Sequence, residues 1–174
     1  MQSLDRNRRI ASWAILIAAG AIIWILEEFI PRPLPWIKPG LANIFTLVAI
    51  VIISPSDGII VSMGRVILAG LIIGRLGSPN FILSLAGAFF SSISMAILWR
   101  IRSPFSIYGL SVIGSLTHVI AQLGIAFFLI NFPGPIWLLI STVLLPSIFT
   151  GILIGFLTSR LLILLQNSRI HLPE

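Results

Sequence analysis

The stretch IYGLSVIGSLTHVIAQLGIAFFLI, residues 107–130, contains no Asp, Glu, Lys or Arg. A helix rises about 1.5 Å per residue, so this length crosses the roughly 30 Å hydrocarbon core of a bilayer. Its polar residues are not scattered. Ser111, Ser115, His118 and Gln122 recur at i, i+4, i+7 and i+11, which places them on one helical face. Lipid rejects such a face, so it points into the protein. Gly114 and Ala121 flank it and allow close approach. Two readings follow: the wall of a cavity, with His118 and Gln122 as hydrogen-bonding groups, or polar glue between helices. His118 could serve proton coupling, but the segment offers it no carboxylate partner.

Working outward, five more apolar segments appear. The first covers about Ile10 to Ile30, behind Arg6, Arg8 and Arg9. No small-residue cleavage site follows it, so it reads as a span and not as a signal sequence. A loop with Pro31, Pro33, Pro35 and Pro39 leads to a short second segment, Leu41 to Ser54. Its helical part rises only about 21 Å, which suggests a tilted half-span beginning inside a protein-lined cavity. Ser54-Pro55-Ser56-Asp57-Gly58 breaks the chain, with Ser56 or Asp57 as candidate caps. The third segment runs from Gly58 to Gly74, the fourth from Phe81 to Trp99 after the turn Gly77-Ser78-Pro79-Asn80, and the sixth from Ile136 to Leu165. Pro146 is expected to kink the sixth.

The composition agrees. Of 174 residues, 57% are hydrophobic and 9% charged, and the mean hydropathy is +1.11. Soluble domains carry about 25% charged residues, so lipid must be most of this chain's solvent. Eleven basic residues against five acidic ones give a net charge of +6. They cluster at segment ends, where they orient a membrane protein, so nucleic acid is not an expected partner. With the N-terminus inside, Arg6, Arg8, Arg9, Arg100, Arg102, Arg160 and Arg169 face the cytoplasm, against Arg32, Lys38 and Arg75 outside. The expectation is an all-α polytopic bundle of about six transmembrane helices. It forms one integral membrane domain, residues 1–174, in the cytoplasmic membrane with both termini cytoplasmic. Cysteine is absent, so no disulfide or thiolate metal site forms, and no cofactor is expected.

Arg65 stands mid-segment, where a charge costs at least about 2.5–3.5 kcal/mol. It is either an anchor for an anionic ligand or a structural group bonded to carbonyls or to Glu27 or Glu28. Lys38-Pro39-Gly40-Leu41-Ala42-Asn43 opens the second helix, whose free N–H groups and positive dipole end suit a carboxylate or phosphate. Asn43 and Thr46 share a side there. A proline-stiffened turn with an interfacial lysine is the plainer reading. Small residues line three helices: Ala11, Ala14, Ala18 and Ala21 on the first; Ser84, Gly87, Ala88 and Ser91, with Met95, on the fourth; Ser147, Gly151, Gly155 and Ser159 on the sixth. They permit close packing within the bundle or, on the first helix, against a partner. Trp24, Trp36, Trp99 and Trp137 read as interfacial anchors, and Trp13 fits that role less well.

No Walker loop, HExxH or G-x-S-x-G is present, and Asp5 and Asp57 are the only aspartates, so no aspartate-rich diphosphate motif exists. The chain is not expected to be an enzyme. Four features resemble the Gx transporter family, also known as heptaprenyl diphosphate synthase component I, over residues 10 to 165. They are Lys38-Pro-Gly-Leu-Ala-Asn-Ile44, the buried-segment Arg65, Phe81-x-Leu-Ser-Leu-Ala-Gly87, and Ser106-Ile-Tyr-Gly-Leu-Ser-Val-Ile-Gly114 followed by His118 and Gln122. The resemblance extends to the substrate-binding (S) components of energy-coupling factor transporters. It implies a six-helix protein that binds a vitamin-like, flavin or isoprenoid-quinone-related molecule from outside. It also implies a transmembrane coupling subunit and ATPase subunits as partners, docked through an alanine motif that Ala14 and Ala18 match. Arg65, Lys38, Asn43, His118 and Gln122 would line the pocket. The rival readings are a membrane anchoring or assembly subunit of a prenyl-quinone or redox system, and a free-standing carrier.

Overall fold

The computed structural model describes residues 2–29, 40–101, 105–130 and 136–170, and side chains for 6–29, 40–101, 105–128 and 143–167. Lys38, Arg32, Trp36 and Arg102, and the side chains of Trp137 and Arg169, lie outside the described residues. Six helices form: α1 (Gln2–Glu28), α2 (Asn43–Ile52), α3 (Pro55–Ile73), α4 (Pro79–Arg100), α5 (Ile107–Ile130) and α6 (Ile136–Ile170). Five are long and apolar enough to cross a membrane, and α2 is shorter. The protein is a multi-pass helical membrane bundle.

The ends differ from the sequence expectation where polar turns continue a helix. No proline or glycine interrupts residues 2–9 or 166–170, so α1 begins at Gln2 and α6 runs to Ile170. Pro146 lies inside that single helix. Ser54, and not Ser56 or Asp57, caps α3: its Oγ accepts from the Asp57 N–H at 3.3 Å, and Pro55 follows where no N–H is needed. Ser78 and Pro79 open α4 in the same way. Gly74 ends α3 in the left-handed region at φ 69°, which glycine adopts without strain.

Two ion pairs fix the course of the chain. Arg9, at the start of α1, reaches Asp57 at the start of α3, with Nη2 donating to Oδ1 at 2.6 Å. Arg75, just past α3, reaches Glu28 at the end of α1 at 3.3 Å. α1 and α3 therefore run parallel, and the chain must return between them through α2. The Arg9 guanidinium also lies 5.4 Å over the Trp13 ring, a cation–π contact that accounts for a tryptophan away from the helix ends.

Along the series α1, α3, α4, α5, α6 each helix packs on the next, and α2 packs on all five. Among the described residues α1 and α6 do not touch. α2 is thus a hub of ten residues, about 15 Å long, with six of them buried. Two apolar clusters surround it. One joins Ala21, Trp24, Ala42, Val66, Ala69 and Ala88. The other joins Leu47, Ile50, Met95, Ala96, Leu110 and Ile154. Trp24, only 3% exposed, is a core residue and not an interfacial anchor.

Small residues set the spacing. A methyl added at Gly151 would stand 2.7 Å from the Val112 Cα, and one at Gly155 2.9 Å from the Tyr108 Cα. The small faces of α4 and α6 are internal packing. On α1 the stripe divides: Ala21 is buried, while Ala11, Ala14 and Ala18 are exposed. Large side chains such as Ile15, Phe128 and Phe149 point outward, as a lipid solvent permits.

Candidate functional site

Arg65 lies ten residues into α3, about 15 Å from its start. Its side chain is 1% exposed, and Nη2 donates to the Asn43 Oδ1 at 2.5 Å. Asn43 is the first residue of α2, so the guanidinium sits beside that helix's N-terminus. Gly20 makes room on α1: a methyl there would come within 2.9 Å of the Arg65 Cδ. Glu27, also 1% exposed, accepts the Leu41 N–H and lies within Coulombic range of Arg65. A cation and an amide therefore meet inside the bundle, and a buried carboxylate binds the chain two residues before that amide. Burying a charge is costly unless it is hydrogen-bonded, as Arg65 is to Asn43 and Glu27 to the Leu41 N–H. Among the described residues the Arg65 Nε has no hydrogen-bond partner.

The second polar group lies across α2. On α5, Gly114 and Thr117 face Met95 and Ser94 of α4, while Tyr108 and Val112 face Gly155 and Gly151 of α6. Ser111, Ser115, His118 and Gln122 fall angularly between those two faces, at about 100° per residue, with Ser111 and Ser115 reaching toward Gly155 and Gly151 of α6. All four are buried. The His118 ring fills the space over Gly87, where a methyl would stand 2.8 Å from its Cε1. On α4, Ser84 lies between the faces turned to α3 and α5 and is 2% exposed.

Depth can be read from contacts. Ser62 Oγ donates to the Ala88 carbonyl at 3.0 Å. Arg65 is about one turn beyond Ser62 on α3, and Ser84 one turn beyond Ala88 on the antiparallel α4. Gln122 is one turn beyond His118, which lies on Gly87. Arg65, Ser84 and Gln122 are thus at similar depth around the start of α2.

Of the residues expected from sequence, Arg65 and Asn43 are brought into direct contact. His118 and Gln122 are inward-facing but on the opposite side of α2, since α3 and α5 do not pack on each other. Lys38 lies outside the described residues. Ser84 was not legible as a site residue: it reads as one member of a packing stripe. Glu27 was legible only as one of two partners for Arg65. Its spacing from Gly20 and Trp24, i, i+4 and i+7, would have placed it on the packed face. Among the described residues no three His, Asp or Glu side chains gather as a metal-binding set.

A bundle of spans enclosing a short helix and a buried polar interior defines a polytopic membrane protein. Its family is given by a match over residues 16–161 to the family described as heptaprenyl diphosphate synthase component I, and the chain belongs to that family. Among curated proteins and solved structures, none matches.

Proposed function

We propose that the protein is the substrate-binding transmembrane subunit of an energy-coupled transporter for a vitamin-, flavin- or isoprenoid/quinone-related small molecule. The observation that carries this reading is the buried polar interior around the start of α2. A protein that served only as an anchor would have no need of Arg65, Asn43, Glu27, Ser84, His118 and Gln122 inside a lipid-solvated bundle, because intramembrane polar groups are costly. In this reading Arg65, Lys38, Asn43, His118 and Gln122 form the site, and both termini are cytoplasmic. The chain has no Walker loop, so energy comes from partner ATPases through a transmembrane coupling subunit. The chain itself catalyses nothing.

Ala14 and Ala18 are the proposed docking surface for that subunit. Both are exposed, and small side chains let a partner helix approach closely. Ala14→Leu with Ala18→Leu is expected to abolish copurification with the ATPase module while the isolated protein melts as the wild type does. Loss of the isolated fold would assign the face to internal packing instead. A second reading has one observation in its favour, the family's description as a synthase component: a membrane assembly subunit of a prenyl-quinone system. Copurification with a prenyl synthase and no ATPase would favour it.

A further inference from the structure

The unsatisfied groups inside the bundle, Thr46 Oγ1 and Gln122 Nε2 among them, belong to the site described above. Arg160 lies outside it. Among the described residues Arg9 and Arg75 are paired with carboxylates, and Arg65 with Asn43. Arg6, Arg8 and Arg100 stand near the ends of their helices. Arg160 stands ten residues before the end of α6, within the apolar span Val143–Asn167. It is exposed, and no described carboxylate pairs with it. Among the described residues α6 packs on α2 and α5 alone, through a face that carries Gly151, Ile154, Gly155 and Thr158. Phe149, Leu153, Phe156 and Arg160 recur at i, i+4, i+7 and i+11, which places them on one stripe on the opposite side. All four are exposed. The Arg160 guanidinium lies 5.2 Å over the Phe156 ring, so the cation is held against this stripe. Exposed Ile163 and Leu164 continue the apolar surface beyond it.

We propose that this stripe binds one anionic phospholipid, its headgroup phosphate on Arg160 and an acyl chain along Phe156, Leu153 and Phe149. A bare cation on a lipid-facing surface is costly. The planar fork of an arginine matches a phosphate bidentately, so the headgroup supplies the anion that no described side chain supplies. The lengths agree. From Phe149 to Arg160 the helix rises about 16 Å, and one leaflet contributes about half of a roughly 30 Å hydrocarbon core. Gly155 faces Tyr108, the second residue of α5, so Arg160, five residues further on, lies near the end of the bundle where α5 begins. A partner helix fits this face less well, because its large side chains hold a neighbouring backbone away. This inference is independent of the substrate-binding reading.

The test uses the purified full-length protein in detergent, with phosphatidylglycerol, phosphatidylcholine or inorganic phosphate added. Native mass spectrometry measures lipid binding, and melting temperature is followed on the same samples. The wild type is expected to bind phosphatidylglycerol about fivefold more tightly than phosphatidylcholine, the ratio that one basic residue near an anionic headgroup gives. It should melt higher with phosphatidylglycerol and ignore inorganic phosphate, which has no chain to lie on the stripe. Arg160→Gln is expected to melt as the wild type without lipid and to lose most of the preference. Arg8→Gln, at an exposed arginine near a helix end, should keep it. Phe156→Leu removes the ring under the guanidinium and should lower the preference part-way, which keeps the test decisive if Arg160→Gln fails to fold. A wild type with no preference overturns the proposal. So does an Arg160→Gln or Phe156→Leu variant that keeps it in full, or an Arg8→Gln variant that loses as much as Arg160→Gln. Equal stabilisation by inorganic phosphate would assign Arg160 to a free anion. A protein that copurifies from native membranes with the wild type and not with Arg160→Gln would assign the face to that partner. Either result overturns the lipid assignment.

Discussion

Arg65→Gln is expected to melt far below the wild-type protein. The substitution removes the Nη2 donor that Asn43 accepts from at 2.5 Å, at a side chain that is 1% exposed. Losing a charge-assisted hydrogen bond costs about 1.5–3 kcal/mol, and the Asn43 Oδ1 is left buried without this donor. Arg65→Lys retains the charge but loses the planar fork that reaches Asn43, so it should fall between the two. Thermal or denaturant unfolding of the detergent-solubilised variants gives the ranking directly. An Arg65→Gln variant with wild-type stability would show that the arginine is not held as described.

The second large effect concerns the seam between α5 and α6. Gly151→Ala and Gly155→Ala each place a methyl under 3 Å from a backbone Cα of α5. Backbone cannot rotate aside as a side chain can, so α6 must move away. Overpacking of this kind costs about 1–3 kcal/mol per site, and the two neighbouring substitutions together should lower stability further. Gly124 is the matched control on the same pair of helices. It has no heavy atom within 4 Å of an added Cβ, so Gly124→Ala should be neutral or stabilise by up to about 1 kcal/mol through helix propensity. Melting temperatures of the three variants, in that opposite order of sign, check the packing. Equal effects at Gly124 and Gly151 would contradict it.

The fold was largely legible because charge-free length and breaker residues are strong signals in a lipid-solvated chain. The fifth segment is bounded by Pro104 and by Asn131 and Pro133, and α5 has the expected limits. Polar helix ends carried no such signal, so the extensions of α1 and α6 were missed. The hub role of α2 was hidden by its brevity. Yet Asn43–Ile52 is apolar almost all round, and six of its ten residues are buried. Trp24 shows the limit of position rules: its place near a segment end suggested an anchor, but α1 turns that face into the core.

The site was legible in part. The inward direction of Ser111, Ser115, His118 and Gln122 followed from spacing alone, and the structure buries all four. The pairing of Arg65 with Asn43 did not, because it depends on α2 returning between two parallel helices. That return is visible only through the Arg9–Asp57 and Arg75–Glu28 pairs. A single chain pattern cannot specify which of several distant polar residues share a depth.

The most direct measurement of the central claim is mass spectrometry of small molecules released from the full-length protein after purification from native membranes. The account predicts one species in near-stoichiometric amount. It should be lost when the orphaned groups are replaced by apolar isosteres in Thr46→Val with Gln122→Leu, two changes that leave the fold intact, since removing an unsatisfied buried polar atom costs little. A wild-type preparation that releases no such molecule, or a folded double variant that retains it in full, would contradict the account.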